Sequence, residues 1–168
     1  ISCGENRMYS LLKVMHIGAF MLWLGPALGS WLVLRYMQQQ QGETSPATGL
    51  VYRVFFLTLT LEHIAFVTLL LTGSLMAYQA GWFYTPWLQQ KLWLVLLVIL
   101  PLEIVDIWLG NWQAKRIVEL RSLGHPLSAR QEQLLHFYHQ GFTKLALFVM
   151  PATILLIMWL AVSKQPLW

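Results

Sequence analysis

The stretch LALFVMPATILLIMWLAV, Leu145 to Val162, lies near the C-terminal end of the sequence and contains no charged side chain. A bilayer core takes about 20 mostly apolar residues per helix, so this stretch predicts a transmembrane span. Hydrophobic residues make up 57% of the 168 positions and charged residues only 11%, whereas a soluble domain carries roughly 25% charged residues. Three more apolar stretches complete the pattern: Val14 to Leu34, Val54 to Ala77 and Leu92 to Trp112. The sequence therefore predicts an all-α, integral membrane four-helix bundle.

The length of the chain predicts a single transmembrane domain over residues 1–168. The spacing of apolar runs and interfacial aromatic residues places the spans at about 10–36, 52–78, 88–113 and 142–163, with an amphipathic or interfacial helix at about 128–141. Ser128 is predicted to be the N-cap of that helix. The fourth span has no charge, so we expect it to be inert. The numbered chain begins at Ile1, and Met8 would be a natural start.

The net charge of +4 reflects basic residues in loops rather than a nucleic-acid surface, because no basic groove with stacking aromatic residues is visible. A single cysteine, Cys3, excludes an internal disulfide and a cysteine-based metal site. By the positive-inside rule, both termini are expected outside, in the periplasm of a bacterial inner membrane. The side with the first and third loops holds seven of the eleven basic residues: Arg35, Arg53, Lys115, Arg116, Arg121, Arg130 and Lys144.

Ionisable residues at membrane depth are functional hypotheses by default, because each costs roughly 2.5–3.5 kcal/mol to insert. His16 and Lys91 form an outer layer, since they lie roughly 10 Å and 6 Å below the outer interface. An imidazole in a dry bundle suits a haem iron, and a nearby lysine suits a second ligand or a propionate partner. Two structural alternatives stay open: His16 could bond to a neighbouring helix, and Lys91 could extend to the surface.

An inner layer combines an imidazole with three carboxyl groups at one depth: Glu62, His63, Glu103 and Asp106. These groups cannot all be buried, charged and unpaired. A bound cation, a shared-proton network, or pairing with Arg35 or Arg53 would each satisfy them. Glu103 and Asp106 are three residues apart and therefore share a helix face. The doubled Glu-x-x-His pattern of di-iron bundles is absent.

His136 and His139 precede the fourth span, three residues apart on one predicted helix face. They are secondary candidates for a metal or for a haem near the inner surface. The alternative is an interfacial helix end with polar tips.

Three segments resemble one superfamily of small four-helix membrane proteins. LLKVMHIGAFMLWLG (Leu11 to Gly25) is similar to the Lys-x-x-His…Trp-x-Gly opening of HemJ-type protoporphyrinogen oxidases and CopD-type copper-resistance proteins. LTGSLMAYQAGW (Leu71 to Trp82) resembles the end of their second span, and WLQQKLWLVLL (Trp87 to Leu97) the start of their third. In the HemJ group, the histidine and lysine at the positions of His16 and Lys91 are the functional pair, and the histidine is associated with haem b.

Departures from the HemJ pattern favour an uncharacterised branch. The first span continues as GPALGSWLVLRYMQQ instead of a Leu-Pro-Arg-Leu-like segment. We therefore expect a subunit of a redox assembly that binds one b-type haem through His16 and is not catalytic by itself. The alternatives are a HemJ-type oxidase and a protein that handles copper or another cation. Scattered methionines argue against copper. The expected partners are the lipid bilayer and either other membrane subunits or further copies of the chain.

Overall fold

The computed structural model describes residues 3–43 and 45–167 and, within them, the side chains of all but residues 3–6 and 27. In this part of the chain four long helices follow one another: α1 (Cys3–Gln41), α2 (Pro46–Gln79), α3 (Pro86–Ser122) and α4 (Ala129–Ser163). Each contains a window long and apolar enough to cross a membrane. The prediction of an all-α four-helix membrane bundle is confirmed. Ile1 and the side chain of Cys3 lie outside the described part.

Short connections join the helices, so their directions alternate. A turn at Gly42 leads from α1 to α2, a 3₁₀ turn (Trp82–Tyr84) joins α2 to α3, and residues 123–128 join α3 to α4. Gly42 has φ of 77° and Gly81 φ of 65°, a region that side chains rarely adopt. The start of α1, the end of α4 and the 80–85 connection therefore share one side, here called the terminal side. The other two connections lie on the opposite, loop side.

α4 begins well before the apolar stretch that predicts the fourth span. Ser128 accepts a hydrogen bond from the Gln131 backbone, and Gln131 in turn accepts from the Ser128 backbone, which completes a capping box. The predicted N-cap at Ser128 is confirmed. From Ala129 the helix continues to Ser163 without a break, so the interfacial helix expected at about 128–141 and the fourth span form one element.

Three π-helical segments interrupt the regular helices: Val95–Ile99 and Ile107–Ala114 in α3, and Phe137–Phe142 in α4. Pro101 follows the first of them closely, and proline has no N–H with which to continue the α-helical ladder. The second segment begins directly after Asp106, and the third contains Tyr138 and His139. Such insertions turn side chains away from their regular helical positions and are frequent at functional sites.

The bundle is packed unevenly around its circumference. α1 packs along the length of α2, while α3 contacts both α2 and α4. α1 and α4 have no comparable contact between their backbones, and side chains of both helices line two cavities between them, a region here called the gap. Large apolar side chains on the outer faces are exposed, as at Met21 (67%) and Phe148 (80%). Such outer faces suit contact with lipid.

Candidate functional site

His16 and Lys91 line one cavity near the terminal side, which we call the terminal-side cavity. It measures about 240 Å³ and has predominantly apolar walls from all four helices, including Phe20, Leu92 and Ile157. The structure thus brings together the two residues of the predicted outer layer.

The neighbours of His16 bear on which of its ring nitrogens carries the proton. The Thr72 hydroxyl lies 2.7 Å from the Thr68 carbonyl and 3.0 Å from His16 Nδ1. A hydroxyl that donates to the Thr68 carbonyl can only accept from His16, and with this arrangement we assign the N–H to Nδ1. Nε2 then keeps its lone pair. The His16 ring also lies against Gly73, where an added Cβ would come within 2.9 Å of Cε1.

Glu103 in the inner layer is held by an aromatic donor from another helix. The Trp23 indole N–H in α1 donates to Glu103 Oε1 in α3 at 2.7 Å. Trp23 and Glu103 are 6% and 7% exposed, so this hydrogen bond is shielded from solvent. It also links two helices that are not sequence neighbours.

Asp106 joins α2, α3 and α4. The Tyr138 hydroxyl in α4 donates to Asp106 Oδ1 at 3.1 Å. His63 Nδ1 lies 2.6 Å from the Leu59 carbonyl, which can only accept, so Nδ1 carries a proton. His63 Nε2 lies 3.6 Å from Asp106 Oδ2, an ion-pair distance but too long for a hydrogen bond. Tyr138 precedes the fourth span and extends the polar network into α4, while the expectation that the span itself is inert stays a prediction.

A second cavity, here called the central cavity, lies between these groups and the gap. It measures about 540 Å³, and all three carboxyl residues of the inner layer line it: Glu62, Glu103 and Asp106. Trp23 and Ile154 line both this cavity and the terminal-side cavity and therefore lie between the two. Glu62 is 5% exposed, and its Oε1 has no hydrogen-bond partner among the described residues.

The inner layer does not form a compact set of metal ligands. Within residues 3–43 and 45–167, no group of three or more His, Cys, Asp or Glu side chains is arranged to hold a metal ion. Arg35, considered as a partner for the carboxyl groups, instead donates to Gln38 at 2.8 Å. The metal hypothesis for Glu62, His63, Glu103 and Asp106 remains a prediction.

His136 and His139 line a polar cavity of about 420 Å³ on the loop side, but their environments differ. His139 is 4% exposed and lies in the π-helical segment, whereas His136 is exposed at the surface of α4. A chain of hydrogen bonds leads from Arg35 through Gln38 to Tyr52, whose hydroxyl lies 3.4 Å from His139 Nε2. No partner was found for His139 Nδ1 in the described part of the chain.

Four residues that the sequence interpretation did not single out for a site connect these groups: Trp23, Tyr52, Thr72 and Tyr138. Each supplies a hydroxyl or indole group to an ionisable partner at least 32 positions away in the chain. The Trp in the first span and the Thr-Gly pair at the end of the second were visible only as parts of a family motif.

Comparison with known proteins identifies a family but no characterised relative. No curated protein and no solved structure matches the chain. Residues 10–165 match the family described as "Predicted integral membrane protein (DUF2269)". The match covers nearly the whole chain and agrees with the four membrane-spanning helices. The chain therefore belongs to the DUF2269 family of predicted integral membrane proteins.

Proposed function

We propose that this protein is a membrane-embedded subunit of a redox assembly, not catalytic by itself, and that it binds one b-type haem through His16. The main support is the hydrogen bond between His16 Nδ1 and Thr72. With the N–H on Nδ1, the Nε2 lone pair is free to bind iron. Histidines that bind metals commonly donate their second ring N–H to a fixed acceptor, which sets both the tautomer and the ring orientation.

The residues around the terminal-side cavity are of the chemical types that bind a haem. His16 would bind the iron through its ring nitrogen, Lys91 would pair with a propionate, and Phe20 and Leu92 would contact the apolar macrocycle. A bound haem would supply a one-electron carrier. The cavity of about 240 Å³ is smaller than the roughly 300–1,000 Å³ of sites that hold drug-sized molecules. A whole macrocycle therefore requires α1 and α4 to move further apart along their existing gap.

The resemblance to HemJ-type and CopD-type proteins supports this site, because its three segments meet there. His16 in the first, Gly73 in the second and Lys91 in the third line the same cavity. The position of these three segments around one cavity also favours the second candidate, a HemJ-type oxidase that acts on a porphyrinogen. The different continuation of the first span after Gly25 favours the non-catalytic subunit over the enzyme.

Copper or another metal cation at the inner layer is the third candidate. Asp106 already accepts a hydrogen bond from Tyr138, and Glu103 accepts one from Trp23. In the part of the chain that the structure describes, no group of three or more His, Cys, Asp or Glu side chains is arranged to hold a metal ion, so this candidate ranks below the haem. We place the protein in a bacterial inner membrane, with other subunits or further copies of the chain as partners beside the lipid.

The visible spectrum of the purified protein tests the haem proposal. The full chain, purified in detergent and supplied with haemin, is expected to show a Soret band that shifts on reduction, at about one haem per chain. His16→Ala should abolish the band, whereas His125→Ala, at an exposed loop position, should retain it. A folded wild-type protein without a Soret band would overturn the proposal.

A matched threonine pair tests the role of the Nδ1 hydrogen bond. Thr72→Val removes the acceptor for His16, whereas Thr68→Val removes a hydroxyl that bonds only to its own helix, at the Ile64 carbonyl. We expect only Thr72→Val to weaken haem binding, with a loss of affinity of roughly tenfold, because Thr72 orients the His16 ring. A band that survives His16→Ala but is lost in His63→Ala or His139→Ala would move the site. Metal in the same sample that is lost in Glu103→Gln would favour the cation candidate.

A further inference from the structure

The central cavity has an unbalanced charge composition. Three carboxyl side chains line it, while its described lining includes no lysine, arginine or histidine. The His63 ring reaches Asp106 from outside this lining. Carboxyl groups in such a low-dielectric space attract a positive charge more strongly than they would in water.

One of the three carboxyl groups lacks the partner that the others have. Glu103 accepts from Trp23, and Asp106 accepts from Tyr138. Glu62, by contrast, is 5% exposed, lines the cavity, and has no partner for Oε1 in the described residues. A buried acceptor without a donor is costly, so Glu62 marks a position where a ligand would supply a hydrogen-bond donor.

The walls of the cavity suit an organic rather than a hydrated inorganic cation. Aromatic side chains from three helices line it, including Trp31, Phe55 and Phe142. Aromatic faces attract organic cations through their quadrupoles, and apolar walls accept the remainder of such a ligand. The volume of about 540 Å³ lies within the range of roughly 300–1,000 Å³ for small-molecule sites.

A ligand could enter the central cavity from the lipid. Leu28 of α1 and Leu155 of α4 line it and are 49% and 67% exposed, on the two helices that flank the gap. An amphipathic molecule dissolved in the bilayer could reach Glu62 through this gap without crossing water. Access from lipid therefore favours a hydrophobic ligand over a water-soluble one.

We propose that the central cavity binds a lipophilic organic cation, specifically a protonated amine on an apolar body. The ammonium N–H groups donate to the carboxyl group of Glu62, and the apolar body lies between α1 and α4 against the aromatic walls. Different residues carry this inference and the haem proposal, so either can fail without the other.

Equilibrium dialysis of the full chain in detergent tests this site, with naphthylethylamine as the probe and the uncharged naphthylethanol as its control of nearly the same shape. The amine should bind saturably and about tenfold more tightly than the alcohol, because a hydrogen bond to a charged group discriminates by at least that factor. Glu62→Gln should reduce amine binding to the level of the alcohol. Glu119→Gln, which removes the same charge at an exposed position of α3, should leave binding unchanged.

A second pair of variants keeps the test decisive if Glu62→Gln does not fold. Ala146→Phe places a ring in the lining of the cavity, whereas Ala152→Phe adds the same ring at an exposed position of α4. Only the first should prevent amine binding. Equal binding of amine and alcohol, or amine binding that persists in the folded Ala146→Phe protein, would overturn the proposal.

Discussion

Aromatic donors from distant helices hold two buried carboxyl groups, and this arrangement explains how the bundle tolerates acids at membrane depth. Trp23 donates to Glu103, and Tyr138 donates to Asp106. Each such hydrogen bond to a charged group contributes about 1.5–3 kcal/mol, comparable to the roughly 2.5–3.5 kcal/mol that insertion of the group costs. Satisfied pairs of this kind also link α1 and α4 to α3, so the acids contribute to the arrangement of the helices.

Gly110 is the residue whose replacement should most directly disturb this network. A Cβ at position 110 would lie 2.5 Å from the hydroxyl oxygen of Tyr138 and 3.4 Å from Leu59 Cδ1. Tyr138 is 1% exposed and has little room to move. We expect Gly110→Ala to destabilise the protein, because overpacking costs about 1–3 kcal/mol and the helical preference for alanine returns at most about 1 kcal/mol. Unfolding in mixed detergent measures the difference.

The control for Gly110→Ala is Gly18→Ala, because an added Cβ at position 18 meets nothing within 4 Å. Gly18→Ala should leave stability unchanged or raise it slightly. Removal of the Tyr138 hydroxyl should relieve the clash, so Gly110→Ala combined with Tyr138→Phe should lose less stability than the sum of the two single variants. Additive losses would contradict the contact.

The sequence predicted how deep individual residues lie in the membrane, but it did not predict their hydrogen-bond partners. Position along a span and the rise per residue sufficed to predict that His16 and Lys91 lie at similar depth. The hydrogen bond between His16 and Thr72 connects residues 56 positions apart, so it depends on how α1 lies against α2. Nothing local to Trp23 or Tyr138 indicates that its polar atom faces an acid on α3. Such partners follow from tertiary packing, which one sequence does not specify.

In α4, one feature could be predicted from neighbouring residues in the sequence and another could not. Its start was predictable, because the Ser128 cap requires only residues within three positions. Its π-helical segment, Phe137–Phe142, has no comparable local signal. His139 lies in that segment and is buried, whereas His136 precedes the segment and is exposed, although regular helical spacing predicted one shared face.

Ser128→Ala tests whether the cap helps to anchor the loop-side end of α4. Loss of the side-chain acceptor for the Gln131 backbone should destabilise the helix start by about 1 kcal/mol. Hydrogen exchange at residues 129–136, followed by mass spectrometry, should accelerate. Ser122→Ala is the matched control, because that hydroxyl bonds only to the Glu119 carbonyl at the end of α3. Equal exchange in both variants would contradict a capping role.

At the scale of the whole molecule, two cavities lie beside the buried clusters of the core, in the gap between α1 and α4. Trp23 and Ile154 separate the two, and both belong to a buried apolar cluster in the middle of the bundle. A side-chain change at this partition should therefore affect both cavities. The fold class was predictable from composition, but the gap was not, because apolar helix faces look alike whether they meet lipid, a cavity or another helix.

The even number of spans puts both termini on one side of the membrane, and the distribution of basic residues predicts which side. Seven of the eleven basic residues belong to the loop side, so the positive-inside rule predicts that this side faces the cytoplasm. Alkaline phosphatase fused after Lys164 should be active, because this enzyme folds in the periplasm, whereas green fluorescent protein fused there should remain dark. Fusions after Gly124, in the connection between α3 and α4, should show the opposite pattern. Reversed patterns at both positions would contradict the orientation, while the same pattern at both would contradict the four-helix topology itself.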